Sequence, residues 1–244
     1  MYAIFQTIFY EPILNLLVFL YNILPGHDIG LAIIVMTAII KLILLPLSKQ
    51  AIKSQKSLAN LQPKINEIKK KYAHNKQEQG RAMMELYKQE KVNPFSSCLL
   101  LLVQLPFLWA VFIVFKEGLS NQAITNIYPF ISQPGVINPI SLGVDLSKPN
   151  IVLALLAGAA QFWQAKMMVT KRPEIRSAGS KDEDMMAIMN KQMLYMMPIL
   201  TVVIGVTFPG GLALYWLVTT ILTALQQLYL FKQKDLKFGA LKSK

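Results

Sequence analysis

The residue with the most distinctive chemistry is Lys41, which lies inside an otherwise apolar stretch from Leu31 to Leu47. A charged side chain within a membrane-crossing segment costs about 3 kcal/mol or more, so such a residue is by default a functional hypothesis. Lys41 is about seven residues, near 10 Å, from the inner end of the stretch. Thr37 lies one turn earlier on the same helical face, which predicts a shared polar surface. The alternative is that the long lysine stem carries the ammonium group to the inner interface.

Polar side chains in the other apolar stretches extend this pattern. In the last stretch, polar and aromatic residues follow helical spacing down one side: Tyr215, Trp216, Thr219, Thr220, Thr223, Gln226 and Gln227. Gln161 and Gln164 share a helix face, and Gln104 stands alone in its stretch. Each alone could be an interhelical hydrogen bond worth about 0.6 kcal/mol. Together with Lys41 they predict the lining of a wet cavity, whose cation would attract acidic or polar segments of an incoming chain.

The composition argues against a soluble domain, a nucleic-acid-binding protein, a disulfide framework and a metal site. Hydrophobic residues make up 54% of the 244 residues and charged residues only 16%, so an ordinary soluble domain does not fit. The net charge of +12 lies in blocks between apolar runs rather than in one patch, which argues against specific nucleic-acid binding. The single cysteine, Cys98, excludes a disulfide framework, and His27 and His74 are far apart. We therefore expect no metal, no cofactor and no catalytic residues.

The apolar runs predict an all-α membrane protein with five transmembrane helices, since a crossing needs about 20 mostly apolar residues. Four runs qualify clearly, and a fifth, Met193 to Phe208, is short and turns through Pro209 into the last span. The predicted segments are an extracytoplasmic interfacial helix (1–28), spans at 29–50, 94–116, 150–170, 192–208 and 211–231, a cytoplasmic helical hairpin (51–92), an external loop (117–149), a cytoplasmic loop (171–191) and a basic cytoplasmic tail (232–244).

The first apolar segment, Ile13 to Leu24, is interpreted as an interfacial helix. Only twelve residues lie between Pro12 and Pro25, which is about 18 Å of helix and too short to cross. Glu11, Asn15 and Asn22 fall on one face, as an amphipathic helix lying in the interface requires. A cleaved signal peptide is the alternative, but no Lys or Arg precedes Lys41 and no small-residue cleavage site follows.

The basic residues alternate between connections and so predict the orientation. None lies in residues 1–40, eleven lie in 48–93, two in 116–149, five in 171–191 and five in 232–244. By the positive-inside rule, the 48–93 loop, the 171–191 loop and the tail are cytoplasmic, and the N-terminus is outside. Five crossings place the C-terminus inside, so parity and charge agree. The predicted location is a bacterial cell (inner) membrane.

The first cytoplasmic connection carries two amphipathic stripes. Leu58, Leu61, Ile65, Ile68 and Tyr72 form the first, and Met83, Leu86 and Tyr87 form the second. They predict a helical hairpin in which Pro63 opens a new helix. Its basic face includes Lys64, Lys69, Lys70, Lys71 and Lys88. That face is either solvated near anionic lipid or a docking surface for a ribosome or targeting factor.

Eight of the twelve methionines cluster around the second cytoplasmic loop: Met167, Met168, Met185, Met186, Met189, Met193, Met196 and Met197. Methionine suits contact with varied apolar partners, although ordinary packing explains such a cluster as well. The Ser- and Gly-containing stretch from Arg176 to Asp184 is predicted to be a mobile connection.

Four stretches, taken in order, resemble the bacterial YidC insertases, relatives of the mitochondrial Oxa and thylakoid Alb proteins. They are Gly30 to Ile34 continuing to Lys41–Leu47; Asn93-Pro94 with Cys98 and Gln104 to Phe107; Gln164 to Met168; and Met193 to Pro198 continuing through Phe208–Trp216. The resemblance covers essentially the whole chain. It implies five helices around a hydrophilic groove that is open to the cytoplasm and lipid but closed on the outside.

The resemblance also implies roles for particular residues. The groove's positive charge corresponds to Lys41, Thr37 and Tyr215 match positions near the groove and its substrate path, and the hairpin aids recruitment. The family usually has arginine where this chain has Lys41; lysine keeps the charge but lacks the planar fork and can lose its proton when desolvated. We expect a compact form, without the further N-terminal span and large periplasmic domain of Gram-negative members.

The expected function is a membrane protein insertase or chaperone that accepts apolar segments of nascent proteins and releases them laterally without nucleotide hydrolysis. The sequence contains no GxxxxGK[ST] phosphate loop. Expected partners are nascent membrane proteins, the ribosome, the Sec translocon and anionic lipids. A small-solute transporter or channel is the first alternative, but no inverted repeat, no matching pair of Gly/Pro-broken spans and no acidic proton relay is visible. A passive assembly chaperone is the second, since the same groove would serve it.

Overall fold

A computed structural model of the chain describes residues 2–93, 96–118, 126–168 and 192–242, and almost all of its regular structure is helical. The helices are α1 (Tyr2–Phe5), a π-helical turn (Gln6–Tyr10), α2 (Glu11–Ile23), a 3-10 turn (Pro25–His27), α3 (Ile29–Ile43), α4 (Leu45–Lys71), α5 (Lys76–Gln89), α6 (Ser96–Gly118), α7 (Ile151–Met168), a π-helical turn (Gln192–Met196), α8 (Met197–Thr207) and α9 (Gly210–Lys242). The strands β1 (Ile140–Ser141) and β2 (Val144–Asp145) form a small antiparallel hairpin. The predicted mobile connection, Arg176 to Asp184, lies outside the described residues.

The N-terminal segment is a longer helix than its sequence suggested. The prediction ended the helix at Pro12, but helical structure continues through Pro12 to Tyr2, with a π-helical turn immediately before the proline. Pro12 has no N–H to donate to the preceding turn, and the π-helical turn immediately before it is the local change in helix geometry that accommodates the ring. Length therefore does not prevent this helix from crossing a membrane, and its interfacial position remains a prediction.

The first predicted span is bent. α3 ends at Ile43, and the axis turns by 71° between α3 and the first part of α4. Pro46 lies in the first turn of α4, where a proline favours the start of a new helix. Lys41 consequently lies in the last turn of α3 rather than about two turns inside a straight span. The carbonyl end of a helix carries partial negative charge, which favours a cation at this position.

By length and apolar composition, two described helices could cross a membrane, Ala3–Ile23 and Gly210–Lys232. The number rises to three if the bent pair α3–α4 counts as one crossing. Three further apolar helices are shorter: Gln104–Lys116, Ile151–Met167 and Leu194–Thr207. These helices fit an all-α membrane protein. Helix length alone does not reproduce the count of five spans, which enters the proposal below.

Small residues allow α7, α8 and α9 to pack closely. A Cβ atom on Gly205 would lie 2.7 Å from the Ala154 Cβ and 3.0 Å from its Cα, and one on Gly158 would overlap the Val202 side chain. Close approach through small residues is the usual way in which helices pack in lipid, where the hydrophobic effect does not drive them together. The remaining core joins α2, α3 and α6 through buried aliphatic side chains.

The segment 126–150, termed here the far loop, covers one end of the bundle. Its Leu146 and Lys148 carbonyls accept the first N–H groups of α9, from Gly211 at 2.9 Å and Gly210 at 2.8 Å. Its Ser141 hydroxyl donates to Asp28, the residue that caps α3. These bonds satisfy helix-end donors that would otherwise lack partners. They fix the loop at the level of the helix ends.

The polar face predicted for α2 binds the far loop. The buried Asn15 amide donates to the Asn126 carbonyl and accepts from the Tyr128 N–H. Asn22 donates to the Ser132 carbonyl at 2.7 Å. Asn15 and Asn22, which the sequence placed on the polar face of an interfacial helix, therefore join α2 to the far loop.

At the opposite end, the second half of α4 and α5 form the predicted helical hairpin. Leu61, Ile65 and Leu86 form its buried core, and the Lys64 ammonium pairs with the Glu90 carboxylate. The prediction that Pro63 opens a new helix is wrong, because α4 continues through it. The proline removes one backbone hydrogen bond, and its exposed position lets water satisfy the freed carbonyl while the flanking Leu61 and Ile65 anchor the helix.

We expect Ile65→Ala to open this hairpin. Ile65 is 1% exposed, and shortening a buried isoleucine to alanine costs about 2–5 kcal/mol, which is large for so small a cluster. Hydrogen exchange should lose protection across residues 60–90, while the bundle should melt at an unchanged temperature. Met84→Ala, at a half-exposed position on α5, is the control and should change neither. Unaltered protection in Ile65→Ala would contradict this packing.

Candidate functional site

The candidate site is built on one face of α9, along residues spaced four apart. Tyr215, Thr219, Thr223 and Gln227 project from this face, and we call them the polar column. Tyr215, Thr223 and Gln227 are buried in the protein, although the surrounding sequence is strongly apolar. A buried polar column is costly in a membrane protein unless its groups find partners, so the contacts of each member are informative.

Lys41 reaches the middle of the column. Its Nζ donates to the Thr223 Oγ1 at 2.8 Å, and that hydroxyl in turn donates to the Thr219 carbonyl at 2.7 Å. The ammonium group is thus held between α3 and α9. None of the ion pairs among the described residues includes Lys41. Among the described hydrogen bonds, the Lys41 side chain is therefore held by a neutral acceptor, the Thr223 hydroxyl.

Two buried atoms on either side of this bond have no hydrogen-bond partner within the part of the chain that the structure describes. They are the Thr219 Oγ1 and the Gln227 Oε1. Buried polar atoms of this kind are usually completed by ordered water or by a ligand. The polar column therefore has unused hydrogen-bonding capacity one helical turn on either side of Thr223.

The other predicted lining residues near the column form hydrogen bonds within the protein or are at least half-buried in it. Gln104 of α6 donates from its Nε2 to the Tyr215 hydroxyl at 2.9 Å, which joins α6 to α9. The buried Thr37 hydroxyl donates to the Ile33 carbonyl of its own helix at 2.6 Å and makes no polar contact with Lys41. Thr220 is buried and Trp216 half-buried on the neighbouring positions of α9.

Gln161 belongs to a different contact. It accepts a hydrogen bond from the Thr201 hydroxyl, which joins α7 to α8. Gln164, one turn further along α7, is half-buried. The described hydrogen bonds connect neither glutamine to Lys41 or to the polar column. The structure therefore separates the predicted lining into an α3–α6–α9 group and an α7–α8 group.

Sequence reasoning missed two contacts that hold α4 against α9. Gln226 donates from its Nε2 to the Ser48 hydroxyl at 2.7 Å, and the Lys56 ammonium lies 4.6 Å from the centre of the Phe231 ring. Ser48 is a polar residue seven positions after Lys41, a spacing that could have suggested a shared face. Nothing in the sequence pairs Lys56 with Phe231. Together with the Lys41–Thr223 bond, these contacts hold α3 and α4 against α9.

The lysines of the predicted recruitment surface lie on the hairpin, away from the column. Lys64, Lys70, Lys71 and Lys88 are exposed and Lys69 is half-buried. Lys64 pairs with Glu90, and the Lys71 ammonium lies over the Tyr72 ring. Lys88 also borders an open depression on α5 with Gly80, Arg81, Met84 and Glu85. No cluster of three or more metal-binding side chains occurs among the described residues.

The chain is similar in sequence to a family model and to named bacterial proteins. A family model described as "60Kd inner membrane protein" matches residues 19–237. A protein of Fusobacterium nucleatum named "Membrane protein insertase YidC" is 35% identical over 226 residues, which are 92% of this chain and 97% of that protein. The protein of the same name from Oceanobacillus iheyensis is 32% identical, with 94% of this chain and 84% of that protein aligned.

Longer proteins match over only part of their length. A protein of a Geobacter species, again named "Membrane protein insertase YidC", is 32% identical over 222 residues. The alignment covers 91% of this chain but 36% of that protein. Similarity to the longer proteins is therefore confined to about a third of their length.

Proposed function

Because the chain belongs to the 60Kd inner membrane protein family, that of the YidC membrane protein insertases, we propose that it moves apolar segments of newly made proteins from the cytoplasm into the bilayer through a groove lined by the polar column. In this proposal five helices, α3 with the start of α4, α6, α7, α8 and α9, cross the membrane. The hairpin and the C-terminal tail lie in the cytoplasm, where the positive-inside rule places their basic residues.

The observation that carries the proposal is the Lys41 side chain held on the polar column, beside two buried oxygens that have no hydrogen-bond partner among the described residues. A polar flank of an incoming segment needs substitutes for water, and the Lys41 ammonium with the Thr219 and Gln227 side-chain oxygens offers them within the bundle. Each polar group that crosses pure hydrocarbon unsolvated costs several kcal/mol. A polar groove reaching part of the way across shortens that crossing.

The two ends of the bundle differ in a way that fits one-sided entry. Lys41 lies in the last turn of α3, immediately before the helix that leads into the hairpin. At the other end the far loop binds the first N–H groups of α9 and the cap of α3. A client would enter from the hairpin side, meet the loop-closed end, and leave sideways into lipid.

No catalytic step is needed in this mechanism. Transfer of an apolar segment into lipid is favourable at roughly 25 cal/mol per Å² of apolar surface. Binding and release along the polar column are therefore sufficient, without a nucleotide or a covalent intermediate. The outer tail of the client must be short and lightly charged, because each crossing charge remains costly.

The hairpin is proposed as the recruitment surface. Its exposed lysines present positive charge on the side from which clients arrive, which suits contact with a ribosome or with anionic lipid headgroups. The Sec translocon is a further proposed partner. The contacts between α4 and α9 through Ser48 and Lys56 would keep this surface in line with the polar column.

The test is insertion by the purified protein alone. A single-span client with a short outer tail is added to liposomes that contain only this protein, and protease protection of the tail is measured. We expect protection well above that of empty liposomes, decreasing stepwise as acidic or basic residues are added to the tail. Protection equal to that of empty liposomes, with folded protein verified in the membrane, would replace insertion by a passive assembly role.

A further inference from the structure

The far loop exposes an unusual number of large apolar side chains. Phe130 is 80% exposed, Val136 66%, Ile140 55% and Leu142 96%. The same loop buries Ile131, Ile137 and Leu146, so it already has apolar anchors in the core. The four exposed side chains are therefore not the ones that anchor the loop to the core.

The loop carries almost no charge. Asp145 and Lys148 are its only charged residues between positions 126 and 150, and their side chains form an ion pair of 3.0 Å. Hydrogen bonds from the Ser147 hydroxyl and the Lys148 ammonium hold the pKa of Asp145 below its usual value, which favours its carboxylate form. A segment that faces bulk water usually carries more charge than this.

Leu142 occupies a position that is unfavourable for leucine. Leu142 and Gly143 form the two-residue turn between β1 and β2, with φ angles of 49° and 78°. Asparagine, aspartate and glycine are the residues preferred in such turns, because a bulky side chain is strained at positive φ. The strain is not repaid by packing within the described protein, since the side chain is almost fully exposed.

The exposed side chains continue an apolar surface that reaches the membrane-facing helices. The far loop leads directly into α7, whose first residues Ile151 and Val152 are 64% and 60% exposed. Ile23 at the end of α2 is 57% exposed at the same end of the bundle. The bonds to the first residues of α9 hold the loop at the level of the helix ends. The five-span arrangement of the proposed function puts this level at the membrane interface.

We propose that the far loop is an interfacial anchor, in which Leu142, Phe130 and their apolar neighbours enter the lipid leaflet at the end of the bundle opposite the hairpin. The occupant of this surface is lipid, at the boundary between headgroups and acyl chains. The anchor would hold the closed end of the bundle at a constant depth while clients pass along the polar column. It depends on membrane embedding and not on the insertase activity.

The test uses an environment-sensitive nitrobenzoxadiazole dye on single cysteines, in a Cys98→Ser background. Leu142→Cys is compared with Met84→Cys, an exposed apolar position on the hairpin, after reconstitution into phosphatidylcholine vesicles that contain no other protein. The dye at position 142 should emit at shorter wavelength, be quenched by lipids spin-labelled near the headgroup, and be quenched by iodide several-fold less than at position 84. Both substitutions replace exposed side chains and should fold.

Equal emission and equal iodide quenching at the two positions would overturn the proposal. A shift at position 142 that occurs only in native membranes, and not in the pure lipid vesicles, would overturn it as well and assign the surface to a protein partner. Insertion assays on the same preparations show whether the protein is active, so failure of the anchor and failure of the insertase remain distinguishable.

Discussion

Replacement of Lys41 by methionine should lower insertion of a client with an acidic residue in its short outer tail by on the order of tenfold or more. Methionine keeps the length of the stem but removes the ammonium group that Thr223 holds. An interaction with a charged group contributes about 1.5–3 kcal/mol, and about 1.4 kcal/mol is a tenfold change. The measurement is the initial rate of tail protection in liposomes. A client with an uncharged tail should lose less.

The same substitution should leave the fold at least as stable, because a charge in a span costs about 3 kcal/mol or more. The thermal midpoint in detergent should therefore be unchanged or raised. Lys41→Arg keeps the charge and should retain insertion. Lys116→Met removes an exposed lysine at the opposite end of the bundle and should have no effect. A fall in insertion matched by a fall in midpoint would assign Lys41 a structural role instead.

Substitution of Gly205 by alanine should destabilise the bundle by about 1–3 kcal/mol, the usual cost of overpacking a close contact. The new Cβ would lie 2.7 Å from the Ala154 Cβ, 3.0 Å from its Cα and 3.7 Å from the Ala213 Cβ. Backbone atoms cannot move aside as a flexible side chain can, so α7 and α8 would have to separate. The Thr201–Gln161 bond lies on the same interface and should weaken. Denaturation in mixed micelles measures the change.

Gly80→Ala is the matched control, and we expect it to change stability in the opposite direction. Gly80 lies within α5, and a Cβ there would meet nothing within 4 Å. Alanine in a helix interior is favoured over glycine by roughly 0.5–1 kcal/mol, so this variant should stabilise the hairpin. A Gly205→Ala variant that is as stable as the unmodified protein, while Gly80→Ala stabilises the hairpin, would contradict the close α7–α8 contact.

Some features of the protein follow from its sequence alone. Apolar runs and alternating blocks of basic residues predicted an all-α membrane protein, and the quoted motifs identified the family. The periodic stripes of Leu61, Ile65 and Leu86 predicted the hairpin, because residues three or four apart share a helix face. Lys41 was found by its charge in an apolar run, and the four-residue spacing predicted the face of α9 that it meets. These properties are local along the chain.

Only the tertiary structure decided which polar groups meet. In the structure, Lys41 donates to the Thr223 hydroxyl, and Gln161 accepts from Thr201 instead of joining that site. The Thr37 hydroxyl donates to a carbonyl of its own helix. The first predicted span is bent at Leu44, and α4 continues through Pro63. Partners from different helices depend on helix rotation and on bends, which arise from packing between segments distant in sequence. Hydropathy and periodicity describe each segment alone, so they determine its type and its polar face but not the residue that faces it.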